Sequence, residues 1–144
     1  MPQVSRRKLD KEVKQKIYES FYKALGLLGE NDAKYFVNDL LTPTEKIMIP
    51  KRLAIAILLS QEWSYNAIRE TLKVTQTTIS SVSKVLTFSV GLRLAIEKLS
   101  KNEAWRSWWQ DIERLLYRLS SPGKTFLDDD LVRHKLKHKK KTLV

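Results

Sequence analysis

Residues 64–86 read SYNAIRETLKVTQTTISSVSKVL, and the fold turns on how they are read. The second half, Val74–Leu86, has six Ser or Thr among thirteen residues and one charge, Lys84. The whole chain, by contrast, carries a formal charge of +11. Ile79, Val82 and Leu86 fall at i, i+3 and i+7. A strand needs strict alternation, which Ile79, Val82 and Val85 do not give, so the segment is expected to be helical. Thr75 is its expected N-cap. Upstream, Ser64 caps a shorter helix whose Ile68 and Leu72 point inward. A tight turn at Lys73-Val74 joins the two.

Helix, tight turn, helix is the plan of a helix-turn-helix, in which two helices bury a small shared core at a steep angle. Ile68, Leu72, Val74, Ile79 and Val82 are the candidate core. The second helix is left with an outward face of Gln76, Thr77, Ser80, Ser81 and Lys84. Base edges in a major groove are read by short polar side chains and amides. Gln76 suits adenine, and Thr77 suits a base edge or the thymine methyl. Lys84 and the helix N-terminus suit phosphate. Arg69, Lys73, Lys46, Lys51 and Arg52 supply neighbouring charge. Two positions depart from the usual pattern. Lys73 stands where the turn commonly has Gly, which asks for a left-handed or adjusted backbone. Arg69 stands where Ala is common. An ordinary helical hairpin with a polar outer face is the competing reading.

The rest of the chain up to about residue 119 reads mostly as helix. Leu9, Val13, Ile17, Phe21, Leu25 and Leu28 form one helical stripe, ended by Gly29. A second short helix carries Phe36, Val37, Leu40 and Leu41. Thr42-Pro43-Thr44-Glu45 is a start signal, with Thr42 as N-cap, Pro43 at N1 and Glu45 closing a capping box. That helix is expected to run to about Gln61 with Ile49, Leu53, Ile57 and Leu58 buried. Pro50 is expected to kink or break it. Residues 91–99 form a further helix. An amphipathic one follows with Trp105, Trp108, Trp109, Ile112, Leu115, Leu116 and Leu119 on one broad face. Ser120-Ser121-Pro122-Gly123 breaks it.

Composition narrows the class. Hydrophobic residues make up 42%, enough for a real core in 144 residues. The absence of cysteine excludes disulfides, Cys-ligated zinc and Cys nucleophiles. No apolar run reaches the length of a membrane span, and the N-terminal residues are too polar for a signal peptide. A cytoplasmic protein without membrane partners is expected. Residues 1–16 hold six basic and two acidic residues, and residues 131–144 hold six basic and none acidic. Residues 46–101 hold nine basic and three acidic. The internal excess coincides with the candidate reader, whereas basic tails alone serve equally for solubility.

Residues 40–86 resemble the core of the Trp repressor superfamily. The matching pieces are Leu41-Thr42-Pro43-x-Glu45, Arg52, Ser64, Ile68, Leu72 and Thr78-Ile79-Ser80. The resemblance implies an all-α, intertwined homodimer that binds double-stranded DNA, with recognition helices about one DNA turn apart. It implies base contacts at Gln76, Thr77 and Ser80. It implies phosphate contacts around Tyr65, Asn66 and Arg69, to which Lys73, Thr78 and Lys84 are added as backbone-holding candidates. The family's tryptophan pocket does not carry over. One sandwiching arginine matches Arg52, but the other is Ser81, the pocket glycine is Val82, and a ligand-holding serine is Val85. No tryptophan corepressor and no other cofactor is expected.

Residues 1–100 are therefore expected to form the DNA-binding domain, 101–121 a Trp-rich helix, and 122–144 a basic tail. Trp105, Trp108 and Trp109 at i, i+3 and i+4 read as core or dimer contacts ahead of a base-stacking platform. Asp128-Asp129-Asp130 reads as a solvated loop or the N-terminus of a last helix, ahead of a metal site. His134 and His138 have ligand spacing but no third ligand nearby, so no metal is expected. No Ser-His-Asp set, phosphate loop or paired buried carboxylate is present, and an enzyme is not expected. The alternative function is nonspecific nucleic-acid or RNA association through the basic tails.

Overall fold

The computed structural model describes residues 7–119. Asp128–Asp130, His134, His138 and the basic tail lie outside them. Among the described residues there are seven α-helices and no strand. They are α1 (Lys11–Leu27), α2 (Glu30–Leu40), α3 (Pro43–Ser60), α4 (Tyr65–Leu72), α5 (Gln76–Phe88), α6 (Val90–Lys101) and α7 (Glu103–Leu119). Internal contacts divide the chain into two units, one up to Lys46 and one from Ile47, with the division inside α3.

The first unit contains α1 and α2. Asp10 caps α1, its Oδ1 accepting from the Glu12 N–H at 2.9 Å. Acids at Glu30 and Asp32 suit the positive end of α2. Neither helix has a buried residue. The apolar stripe of α1 is formed but open to solvent, with Val13 46%, Ile17 48%, Phe21 41% and Leu25 41% exposed. The capping box at the head of α3 is also formed. Glu45 Oε2 accepts from the Thr42 N–H at 2.8 Å, and Thr42 Oγ1 accepts from the Glu45 N–H at 3.3 Å. The Thr42 N–H, and after it the Thr42 hydroxyl, hold the Glu45 carboxyl below the usual carboxylate range.

The second unit holds the core. Ile55, Ala56, Ile57 and Leu58 are buried in succession, so this one turn of α3 is covered on every side, while Ser60 after it is exposed. The expected α3 stripe is thus corrected. Ile57 and Leu58 are buried, but Ile49 and Leu53 are exposed, because the core draws on α3 only from Ala54 onward. Pro50 does not break the helix. Glu62 ends it in the left-handed region, φ 64°. The Trp63 N–H returns to the Leu58 carbonyl at 3.0 Å and the Glu62 N–H to the Leu59 carbonyl at 3.0 Å. This is a Schellman arrangement with Glu62 in the position glycine usually takes. It buries Trp63 in the same cluster as Leu58.

A single extended residue, Ser89, separates α5 from α6, and the two helices bend by 89°. Asn102 starts α7, its Oδ1 accepting from the Trp105 N–H at 2.9 Å. The broad apolar face of α7 is only partly used. Trp109 is buried, while Trp105, Ile112 and Leu116 are half-buried against the core. Trp108 and Leu115 face solvent. The Trp109 indole N–H lies 3.3 Å from Gln61 Oε1 and 3.1 Å from Glu113 Oε1, which ties α7 to the end of α3. No single described helix is long and apolar enough to cross a membrane.

Candidate nucleic-acid interface

Two side-chain caps and one unusual backbone position shape residues 64–88. Ser64 Oγ accepts from the Ala67 N–H at 3.1 Å and opens α4. Lys73 closes α4 at φ 53°, ψ 54°, the left-handed conformation that its place in the turn demands. Thr75 Oγ1 then accepts from the Thr78 N–H at 3.3 Å and opens α5. Only Lys73 and Val74 lie between the end of α4 and this second cap. The two helices are forced into a tight corner, which Ile68, Ile79 and Val82 fill from inside. Ile68 and Ile79 are fully buried and Val82 is 2% exposed. Leu72 and Val74 pack partly buried against them.

Burial of that side leaves the other in water. Gln76, Thr77, Ser81 and Lys84 are exposed along α5, and Ser80 is half-buried. On the approach, Asn66, Arg69 and Lys73 are exposed and Tyr65 is half-buried. Farther up the chain Arg52 is exposed, Lys51 is half-buried, and Lys46 Nζ donates to Asn38 Oδ1 at 3.1 Å. The helix-turn-helix therefore brings the polar face of α5 and the cations Arg69, Lys73 and Lys84 onto one element pair.

Two local details went unread in the sequence. Thr78 Oγ1 sits 3.0 Å from Thr75 Oγ1, so the capping hydroxyl also engages the third residue of α5. Arg69 lies 3.5 Å from Glu70, its chain neighbour, in an ion pair open to solvent. An acid beside a phosphate-holding candidate competes for its guanidinium, and the Arg-Glu dipeptide was the available signal.

The profile of the Trp repressor protein family matches residues 16–103. The chain belongs to the Trp repressor family. The match is wider than the resemblance at 40–86, reaching back into α1 and forward through α6. No curated protein and no solved structure matches the chain. The Trp repressor family is one of DNA-binding transcription regulators, and helical helix-turn-helix architecture is its mark. Of the residues that the resemblance sets against the family's tryptophan pocket, Arg52 and Ser81 are exposed, Val85 is 38% exposed and Val82 is in the core.

Proposed function

We propose that the protein is a homodimeric, sequence-specific binder of double-stranded DNA and acts as a cytoplasmic transcriptional regulator of repressor type. Residues 75–86 enter the major groove. Gln76, Thr77 and Ser80 read base edges, while Tyr65, Asn66, Arg69, Lys73, Thr78 and Lys84 hold the sugar-phosphate backbone. One observation carries this reading: an amide-and-hydroxyl face on α5 with a single charge, Lys84, toward its far end, set beside the exposed cations Arg69 and Lys73 and backed by a buried corner. A face built only for solubility has no reason to segregate charge from hydrogen-bonding groups in this way.

Dimerisation is supported by the uncovered stripe of α1. Monomeric soluble proteins seldom leave a long apolar helix face in water. A second copy laid against Val13, Ile17, Phe21 and Leu25 would bury it. A two-fold dimer would present two α5 helices to half-sites roughly one helical turn, about 34 Å, apart. Tryptophan is not the ligand in this reading, because Val82 stands in the core where the family's pocket opens and Ser81 replaces an arginine. Residues 1–100 serve as the DNA-binding domain, with 101–121 appended and 122–144 as a phosphate-tracking arm.

In vitro selection from a random DNA pool tests the reading. A palindromic pair of half-sites is expected, and Gln76→Ala is expected to relax choice at one position in each. Selection of no common sequence, with binding abolished by deletion of residues 131–144, would favour tail-driven nonspecific nucleic-acid or RNA association instead.

A further inference from the structure

Away from the reading face, α3, α5, α6 and α7 enclose a cleft of about 710 Å³. Sites for small organic molecules typically occupy about 300–1,000 Å³ and pair apolar walls with a few directed polar groups. The cleft begins at Leu86, in the last turn of α5, ten residues and about 15 Å along the helix from Gln76. None of Arg52, Ser81, Val82 or Val85 lines it. Its outer wall is α7, nearly all of which lies past residue 103, where the family match stops.

The charges on the walls cancel. Arg93 and Glu97 stand about one turn apart on α6, and Arg106 and Glu113 about two turns apart on α7. A charged ligand would give up hydration in such a cleft. It would gain little in return, because either sign meets a like charge as well as an opposite one. An uncharged ligand escapes that cost. Its body would rest on apolar surface, with Ile57 from α3, Leu86 from α5, Ile96 and Leu99 from α6, and the rings of Trp105 and Trp109 from α7.

The uncharged polar groups supply donors and acceptors together. Gln61 Oε1 accepts from the Trp109 indole N–H at 3.3 Å, which leaves the Gln61 amide N–H groups to donate. Gln110 adds a second, exposed amide. Ser60 and Ser100 donate their hydroxyl protons to the Ile57 and Glu97 carbonyls, at 2.6 Å and 2.7 Å, and keep oxygen lone pairs that can accept. A carboxylate could use only the donors and an ammonium only the acceptors. A carboxamide can use both.

We infer that this cleft binds a small, uncharged, lipophilic amide, its hydrocarbon body on the apolar walls and its carbonyl accepting from Gln61 and Gln110.

Three probes that differ only in the head group test this on the full chain: hexanamide, hexanoate and hexylammonium. Each is titrated while the indole N–H signals of the tryptophans are followed by NMR. Hexanamide is expected to move the Trp105 and Trp109 signals saturably, with Kd of about 1–5 mM, and to spare Trp108, which does not line the cleft. Both ions are expected to bind at least about fivefold more weakly. Gln110→Ala, at an exposed position, is expected to weaken hexanamide about threefold, and a thermal melt confirms that the variant is folded. An ion bound as tightly as hexanamide, movement of Trp108 alone, or undiminished affinity in folded Gln110→Ala would overturn the inference. So would the absence of a saturable shift up to about 20 mM hexanamide. Movement of the Trp105 and Trp109 signals on dilution of the protein alone would also overturn it, since a second copy would then occupy the cleft. None of these readouts involves DNA, so the inference stands or falls apart from the reading of α5.

Discussion

Two regions of the chain carry the same apolar pattern and meet opposite fates. In α1, Val13, Ile17, Phe21 and Leu25 repeat every four residues and remain 41–48% exposed. In α4 Ile68 and Leu72 stand four apart and in α5 Ile79 and Val82 three apart, also on one helical face each, and Ile68, Ile79 and Val82 are 0–2% exposed. Periodicity fixes which face of a helix is apolar. What covers that face depends on whether a neighbour lies within a short turn of the same chain. For α4 and α5 the Lys73-Val74 corner supplies the neighbour. For α1 nothing among the described residues buries the stripe.

The contrast can be broken from either side. Ile79→Ala should have the largest effect, since a fully buried isoleucine truncated in a small corner costs about 2–5 kcal/mol. Urea unfolding followed by circular dichroism would measure it, and a loss below about 1 kcal/mol would mean the corner can collapse around the gap. Phe21→Asp should leave the corner packed but weaken self-association by about 2–4 kcal/mol if a second copy covers α1. Sedimentation equilibrium reads that directly, and an unchanged mass would sink the dimer. Gln76→Ala should cost about 1–3 kcal/mol at a selected site and little elsewhere, checked by competition binding.

Lys73→Gly separates fold from function at the corner. Relief of the left-handed backbone should raise stability by about 1 kcal/mol, a glycine being at ease there. Loss of the cation should flatten the salt dependence of DNA binding by about one phosphate contact. The smallest effect belongs to Glu45. Its folded pKa is depressed, so the capping box stabilises above the ordinary carboxylate range and fades as pH falls through the lowered value. An acid titration of helicity should therefore show the Glu45→Gln variant less pH-sensitive than the parent.

Much of this was legible because it is local. Thr42, Ser64 and Thr75 each announced a helix start, and each side chain caps one. Lys73 announced its strain by standing where glycine is usual, and it is left-handed. The α5 face followed from counting Ile79, Val82 and Leu86. The missed features depend on partners distant in the chain or on backbone geometry. Burial of α3 begins at Ala54, which its own periodicity did not show, since Ile49 and Leu53 repeat as regularly as the residues that are buried. Trp109 differs from Trp108 because it finds Gln61, 48 positions away. The left-handed Glu62 has no sequence signal, because a charged residue there looks like ordinary surface.

That Trp109–Gln61 hydrogen bond has a bearing on how fast the chain folds. Contacts of α4 with α5, α5 with α6, and α6 with α7 join helices adjacent in sequence. Helical topologies of this low contact order form on a microsecond-to-millisecond scale. The link from α7 back to the end of α3 closes a far longer loop, with its own entropic cost. Trp109 fluorescence should accordingly report a late event, lagging behind the helical signal in a stopped-flow refolding trace.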